Sequence, residues 1–201
     1  MKKIGCIAAA VVGALIAIPL VLGISSYNAL VGLDEAVDSA WAQVENVYQR
    51  RADLIPNLQA TVEGAAEFER ETFTEVTEAR AKAGSISFES APTPDQIAQF
   101  QEAQAGLSSA LSRLLVTVER YPELKATQAF RDFQAQLEGT ENRITVERGR
   151  FNEAARRFNT KRRRFPSNLV ANLFGFDEKA YFESRGDADE PPVVDFGNDE
   201  G

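Results

Sequence analysis

Along most of this chain apolar residues recur at alternating spacings of three and four. From Tyr27 onward they fall at Leu30, Leu33, Val37, Ala40 with Trp41, Val44, Val47 with Tyr48, Leu54 with Ile55, Leu58, Val62 and Ala65. Residues so spaced share one face of an α-helix, and the pattern predicts a helix with a buried stripe from Tyr27 to about Ala83. Pro56 stands inside it. Its ring removes a backbone donor and collides with the carbonyl four residues earlier, so the helix is expected to bend there or to end. The run Gly84-Ser85-Ile86-Ser87 through Ala91-Pro92-Thr93-Pro94 has the composition of a loop.

Thr93, Pro94 and Gln96 then form the signature of a capping box with proline at the first helical position. The second helix carries Ile97, Phe100, Gln104, Leu107, Leu111, Leu114, Val118 and Tyr121 on one face, and Pro122 stops it. A third stripe is the most regular. Phe130, Leu137, Ile144, Phe151, Phe158 and Phe165 stand seven apart, with Phe133, Thr140 and Ala154 beside them. The stripe reads as core, because a ligand box of phenylalanines would need polar groups converging on it. Trp41 reads as a core or interface residue. Glu147, on the apolar line, is read as an edge position reaching solvent, with a buried carboxylate as the alternative.

Ahead of these stripes, residues Ile4 to Ile24 carry no charge. At about 1.5 Å per residue they form a helix of roughly 30 Å, the thickness of a hydrocarbon core. Residues 4–24 are therefore expected to span a lipid bilayer, where a proline such as Pro19 is tolerated. A cleaved signal peptide ending near Gly23 and Ser25 is the first alternative, although its apolar region is usually only roughly 7 to 15 residues. Acylation of Cys6 is the second, and only Ile4 and Gly5 would precede it after Lys3. Lys2 and Lys3 flank one end, whereas Asp34, Glu35, Asp38 and Glu45 follow the other, with no lysine or arginine before Arg50. The positive-inside rule then puts residues 1–3 in the cytoplasm and the bundle outside it.

No segment alternates with a period of two, so the expected class is all-α. Short connections favour an antiparallel up-and-down bundle over residues 25–183. From Arg185 the chain carries Asp187, Asp189, Glu190, Asp195, Asp199 and Glu200 with two adjacent prolines. Residues 184–201 are expected to be a disordered acidic tail.

Composition narrows the chemistry. A net charge of −8 and a pI near 4.8 argue against nucleic-acid binding, which needs a cationic face. Histidine is absent and Cys6 is the only cysteine, which removes Cys/His zinc sites and Ser-His-Asp triads. The acidic residues lie along helical surfaces without ligand-like spacing, so no catalytic residue, metal or cofactor is expected.

One charge cluster stands out. Arg156, Arg157, Lys161, Arg162, Arg163 and Arg164 crowd the end of the third helix, where cations complement the helix dipole. The functional reading is a patch for lipid headgroups, envelope polyanions or an acidic partner. With three long helices rising, descending and rising again, the patch is expected at the end far from the anchor, out of reach of its membrane. Beyond it, Leu169, Val170, Leu173, Phe174, Phe176, Tyr181 and Phe182 suggest a short fourth helix covering the bundle.

Several separated runs carry a resemblance. Tyr27-Asn28-Ala29-Leu30-Val31, then Trp41 through Leu58, resemble the opening of the bacterial LemA family. Further matches are Glu75 to Arg80, Tyr121 to Ala126, Gln136 to Ile144, Phe151-Asn152-Glu153, Phe165 to Leu169 and Phe174-Gly175-Phe176. They cover about residues 1–183 and leave the acidic tail outside. The resemblance implies an N-terminal membrane helix and an antiparallel all-α bundle, and brings no accepted activity, cofactor or catalytic residue. Polar runs such as Glu45-Asn46 and Glu138 to Arg143 then serve either helix-to-helix bonding or a partner surface. The expected function is a membrane-anchored scaffold of the bacterial cell envelope, self-associating or recruiting an envelope protein. The alternative is a signal-input or ligand-binding module acting through helix packing.

Overall fold

The computed structural model describes the backbone of residues 2–63, 70–88 and 90–183, with side chains over residues 12–58, 71–88 and 90–183. The side chains of Cys6, Val62 and Ala65 and the acidic tail from residue 184 lie outside the described residues. Within them the chain is all-α: α1 Lys2–Glu63, α2 Arg70–Gly84, α3 Pro94–Val118, α4 Pro122–Lys125, α5 Gln128–Arg163 and α6 Ser167–Phe174.

The expectation of one helix to Ala83 is corrected, and so is the alternative of a helix end at Pro56. α1 passes through Pro56 and continues to Glu63, and a separate α2 starts at Arg70. Pro56 lacks the N–H that would pair with the carbonyl of Ala52, one turn earlier. Arg80 of α2 supplies the missing donor: its Nε donates to the Ala52 carbonyl oxygen at 2.8 Å. The proline is thus accommodated by a tertiary contact.

α2 turns back along α1 and packs mainly on α3. The following loop is fastened to α1 by Phe88 N–H donating to Glu45 and Ala91 N–H donating to Asp38 at 2.8 Å. Thr93 caps α3 through the expected box, accepting from Gln96 N–H while its own N–H donates to the Gln96 side chain. Thr127 caps α5 by accepting from Phe130 N–H, a cap the sequence reading did not identify. α5 then packs along α1 over most of the bundle.

Two apolar clusters fill the interior. Leu58, Val76, Leu107, Leu114, Phe130 and Phe133 belong to the one far from the N-terminus. Leu30, Val37, Trp41, Phe151 and Phe158 belong to the one near it. Phe130, Leu137, Ile144, Phe151 and Phe158 are all buried, as the seven-residue series requires. Phe165, its last member, is not: it is 79% exposed. α5 has already ended, with Arg164 in extended backbone, so the helical period no longer applies at that position. Glu147 is an edge residue, bonded to Arg150 at 2.7 Å.

Because the first predicted helix is two, α1 rises, α2 descends, α3 rises and α5 descends. Trp41 meets Phe151, and Arg51 meets Glu141, ten residues further along one helix and ten back along the other. This antiparallel register brings the C-terminal end of α5 down to the start of the bundle, beside the apolar part of α1. The basic cluster therefore sits at the end next to the apolar segment, and the expectation that it lies at the far end is wrong. One extra reversal of the chain inverts the result.

Candidate functional site

The six cations of the cluster do not act alike. Arg156 and Arg157 are both bonded to Glu153, Arg157 at 2.9 Å. The hydrogen bond from Arg157, with Arg156 behind it, holds the Glu153 carboxyl below its usual value. Arg162 Nε donates to the Phe176 carbonyl at 2.6 Å, and Arg163 Nε to the Asn159 carbonyl one turn back. Lys161 and Arg164 have no carboxylate partner among the described residues. With Arg156, Arg157, Thr160 and Leu33 they line an open groove of about 350 Å³ between α1 and α5. A residue as exposed as Arg163 rarely contributes more than about 1 kcal/mol through its charge. Arg163→Ala is accordingly expected to leave the unfolding midpoint nearly unchanged in a urea titration.

Below this cluster the chain makes a short reversal into α6, which ends at Gly175. Gly175 has φ 72°, the left-handed conformation that closes a helix, and Phe176 N–H donates back to the Ala171 carbonyl at 3.0 Å. α6 buries Ser167, Val170 and Ala171 against the bundle and turns Leu169, Leu173 and Phe174 outward. Tyr27 of α1 meets Phe174 and Phe176, with ring centroids 4.8 and 5.7 Å apart.

Residues 175–183 then run back along α5, held by two asparagines seven residues apart. Asn159, fully buried, accepts from Lys179 N–H at 2.9 Å and donates to the Lys179 carbonyl at 2.8 Å. Asn152 makes the same pair of bonds to Phe182, at 2.8 and 2.9 Å. Phe182 is thereby seated among Trp41, Phe100 and Phe151. Lys179 reaches α1, 2.5 Å from Asp34. The sequence reading missed this clasp. Its signal was an asparagine following each of Phe151 and Phe158, a polar heptad line beside an apolar one.

A second polar feature lies midway up the bundle, where Arg51 is only 2% exposed. Its guanidinium donates to Glu141 at 2.9 Å, to Ser108 at 3.0 Å and to both the side chain and the carbonyl of Gln104. It also lies 5.1 Å from the ring centre of Tyr48. Glu45 and Glu141, left open between partner surface and internal bonding, both bond within the bundle. Burial raises the Tyr48 phenol pKa above 10.0, against the opposing pull of Arg148 and Arg51. A raised folded-state value means that stability is intact below about pH 10 and falls as pH climbs toward the folded pKa. Wild-type protein should thus lose thermal stability above pH 10 more steeply than Tyr48→Phe, measured by melting at stepped pH.

A family model described as the LemA family matches residues 40–196. That match runs into the acidic stretch that the sequence motifs left outside the resemblance. The chain is 25% identical over 187 residues to Magnetosome protein MamQ 2 of Paramagnetospirillum magneticum, covering 84% of this chain and 68% of the relative. Magnetosome protein MamQ of Magnetospirillum gryphiswaldense gives the same identity and coverage. Protein LemA of Metamycoplasma hominis is 23% identical over 157 residues, covering 78% of this chain and 68% of the relative.

Proposed function

Because this chain belongs to the LemA family, we propose that it is a membrane-anchored helical scaffold of the bacterial cell envelope, working by assembly and not by catalysis. The observation that carries this reading is the continuity of α1. One uninterrupted helix runs from a segment long and apolar enough to cross a membrane into the centre of the bundle. Val12, Leu15, Ile16, Ile18 and Leu20 are all more than half exposed on it, a face that water would not tolerate over such a length. The partner on this reading is a second copy of the chain or an envelope protein. Mass measurement in mild detergent, with and without crosslinking, tests it: a strict monomer with no co-purifying protein would remove the scaffold role.

On this reading the bundle faces the extracytoplasmic side of the cytoplasmic membrane, supported by Lys2 and Lys3 at one end of the apolar segment and acidic residues at the other. The cations of α5 do not reverse this, since the rule counts charges close to the span in sequence. Protease added to right-side-out spheroplasts should digest the bundle while cytosolic controls survive. Protection until lysis would reverse the orientation.

The signal-input alternative draws on an open cleft of about 240 Å³ beside Tyr48, Glu45 and Gln104. It is smaller than the roughly 300 Å³ at which ligand pockets usually begin, and Gln104 and Glu45 on it are already bonded, to Arg51 and to the Phe88 N–H. The scaffold reading, which draws on the continuity of α1, is preferred to a ligand site in this cleft.

A further inference from the structure

The anchor end of the bundle presents apolar residues outward where a water-facing surface would carry polar ones. Phe165 is 79% exposed, Leu173 78%, and Leu169 and Phe174 59% each. Leu169 and Leu173 lie one turn apart on α6, whose opposite face, Val170 and Ala171, is buried in the core. A helix that is apolar on both sides requires apolar surroundings on both. The core supplies only one of them.

Position along α1 shows what supplies the other. α6 meets α1 at Tyr27, three residues past the last residue of the apolar segment, Ile24. At 1.5 Å per residue Tyr27 stands only about 5 Å beyond the hydrocarbon boundary. Continuing the register of Trp41 with Phe151 sets Arg164 opposite Asn28 and Lys161 opposite Val31, about 6 and 10 Å beyond Ile24. The headgroup layer of one leaflet is roughly 5 to 8 Å thick, within reach of a lysine or arginine side chain. The apolar residues thus fall at the depth of an interfacial helix, and Lys161 and Arg164, the two cluster cations whose side chains meet neither a carboxylate nor a carbonyl among the described residues, stand above them.

We propose that α6 and Phe165 sink into the headgroup layer of the bilayer crossed by α1, with Lys161 and Arg164 bound to its anionic headgroups. The surface is continuous with the exposed apolar face of α1, so docking leaves no apolar residue at the junction in water. Arg162 and the Asn152–Asn159 clasp tie this collar, α6 and Phe165, to α5, so that collar and bundle move as one body on the membrane.

The proposal rests on the anchored reading, and the test separates the two. Full-length protein carrying Cys6→Ser and Leu173→Cys is labelled with an environment-sensitive fluorophore and reconstituted in phosphatidylcholine nanodiscs, with or without phosphatidylglycerol. Lipids bearing a quencher near the headgroup or deep in the chain report depth. Leu15→Cys serves as the anchor control and Glu123→Cys as the far-end control. The label at 173 should be quenched by the shallow probe, more strongly with phosphatidylglycerol present, and the label at 123 by neither. Lys161→Glu with Arg164→Glu should lower the docked-to-undocked ratio roughly fivefold or more per cation in anionic discs. Quenching at 15 by the deep probe with none at 173 would overturn the collar and leave the anchor intact, whereas no quenching at 15 would overturn the anchor. Disulfide crosslinking between copies of the unlabelled Leu173→Cys variant, with shielding of the label at 173 from lipid quenchers, would assign the face to a second copy and overturn the proposal. Insertion indifferent to lipid charge would overturn the role of Lys161 and Arg164.

Discussion

Phe151→Ala should lower the free energy of unfolding by about 3 to 5 kcal/mol, the cost of an emptied aromatic site in a core that relaxes only partly. Phe151 is fully buried where α1, α5 and the returning C-terminal segment meet, its ring centroid 5.7 Å from Trp41 and 5.4 Å from Phe182. The loss is a large share of the stability of one domain. Trp41 is the sole tryptophan and packs on this ring, so its fluorescence during urea titration of the full chain in mild detergent reports the effect directly. An unchanged midpoint would mean that the phenylalanine line of α5 is not the core.

Glu141→Ala should cost about 3 kcal/mol, although Glu141 itself is 44% exposed. The cost arises at its partner. Arg51 remains charged and 2% exposed, with only Ser108, Gln104 and the Tyr48 face to offset it. Breaking a buried pair from one side leaves an uncompensated charge, whereas removing both sides does not. Arg51→Met introduced into Glu141→Ala should therefore recover much of the loss, and the double-mutant cycle isolates the coupling. Additive losses would show that Arg51 is stabilised without Glu141.

The helices, the capping box at Thr93 and five members of the phenylalanine series were legible because period and capping are local properties. What was not legible was where the chain reverses. Pro56 was the conspicuous breaker, yet Arg80, 28 residues away from the carbonyl it serves, relieves it. Propensity at a single position cannot register a donor brought by the fold. The six basic residues were visible as a group, but their site was assigned to the wrong end because it depended on the number of reversals. The division of labour among them was hidden as well, since Arg162 and Arg164 look alike in sequence and only one meets a backbone carbonyl. Phe165 was misplaced for a simpler reason: a period extrapolated one step past the end of its helix.

α1 contains no linker between the apolar segment and the bundle. Its end at Glu63 lies 39 residues past Ile24, about 58 Å at 1.5 Å per residue. A helix whose apolar stretch is longer than the local hydrocarbon thickness adjusts by tilting. On this lever, a tilt of about 10° would sweep the far end of the bundle sideways by about 10 Å. Amide dichroism of oriented bilayers, compared between thin and thick lipid, would follow the tilt of the bundle helices and would stay nearly constant if the helix were hinged at the surface. The bundle would then serve as the pointer of a gauge whose sensing element is the bilayer itself.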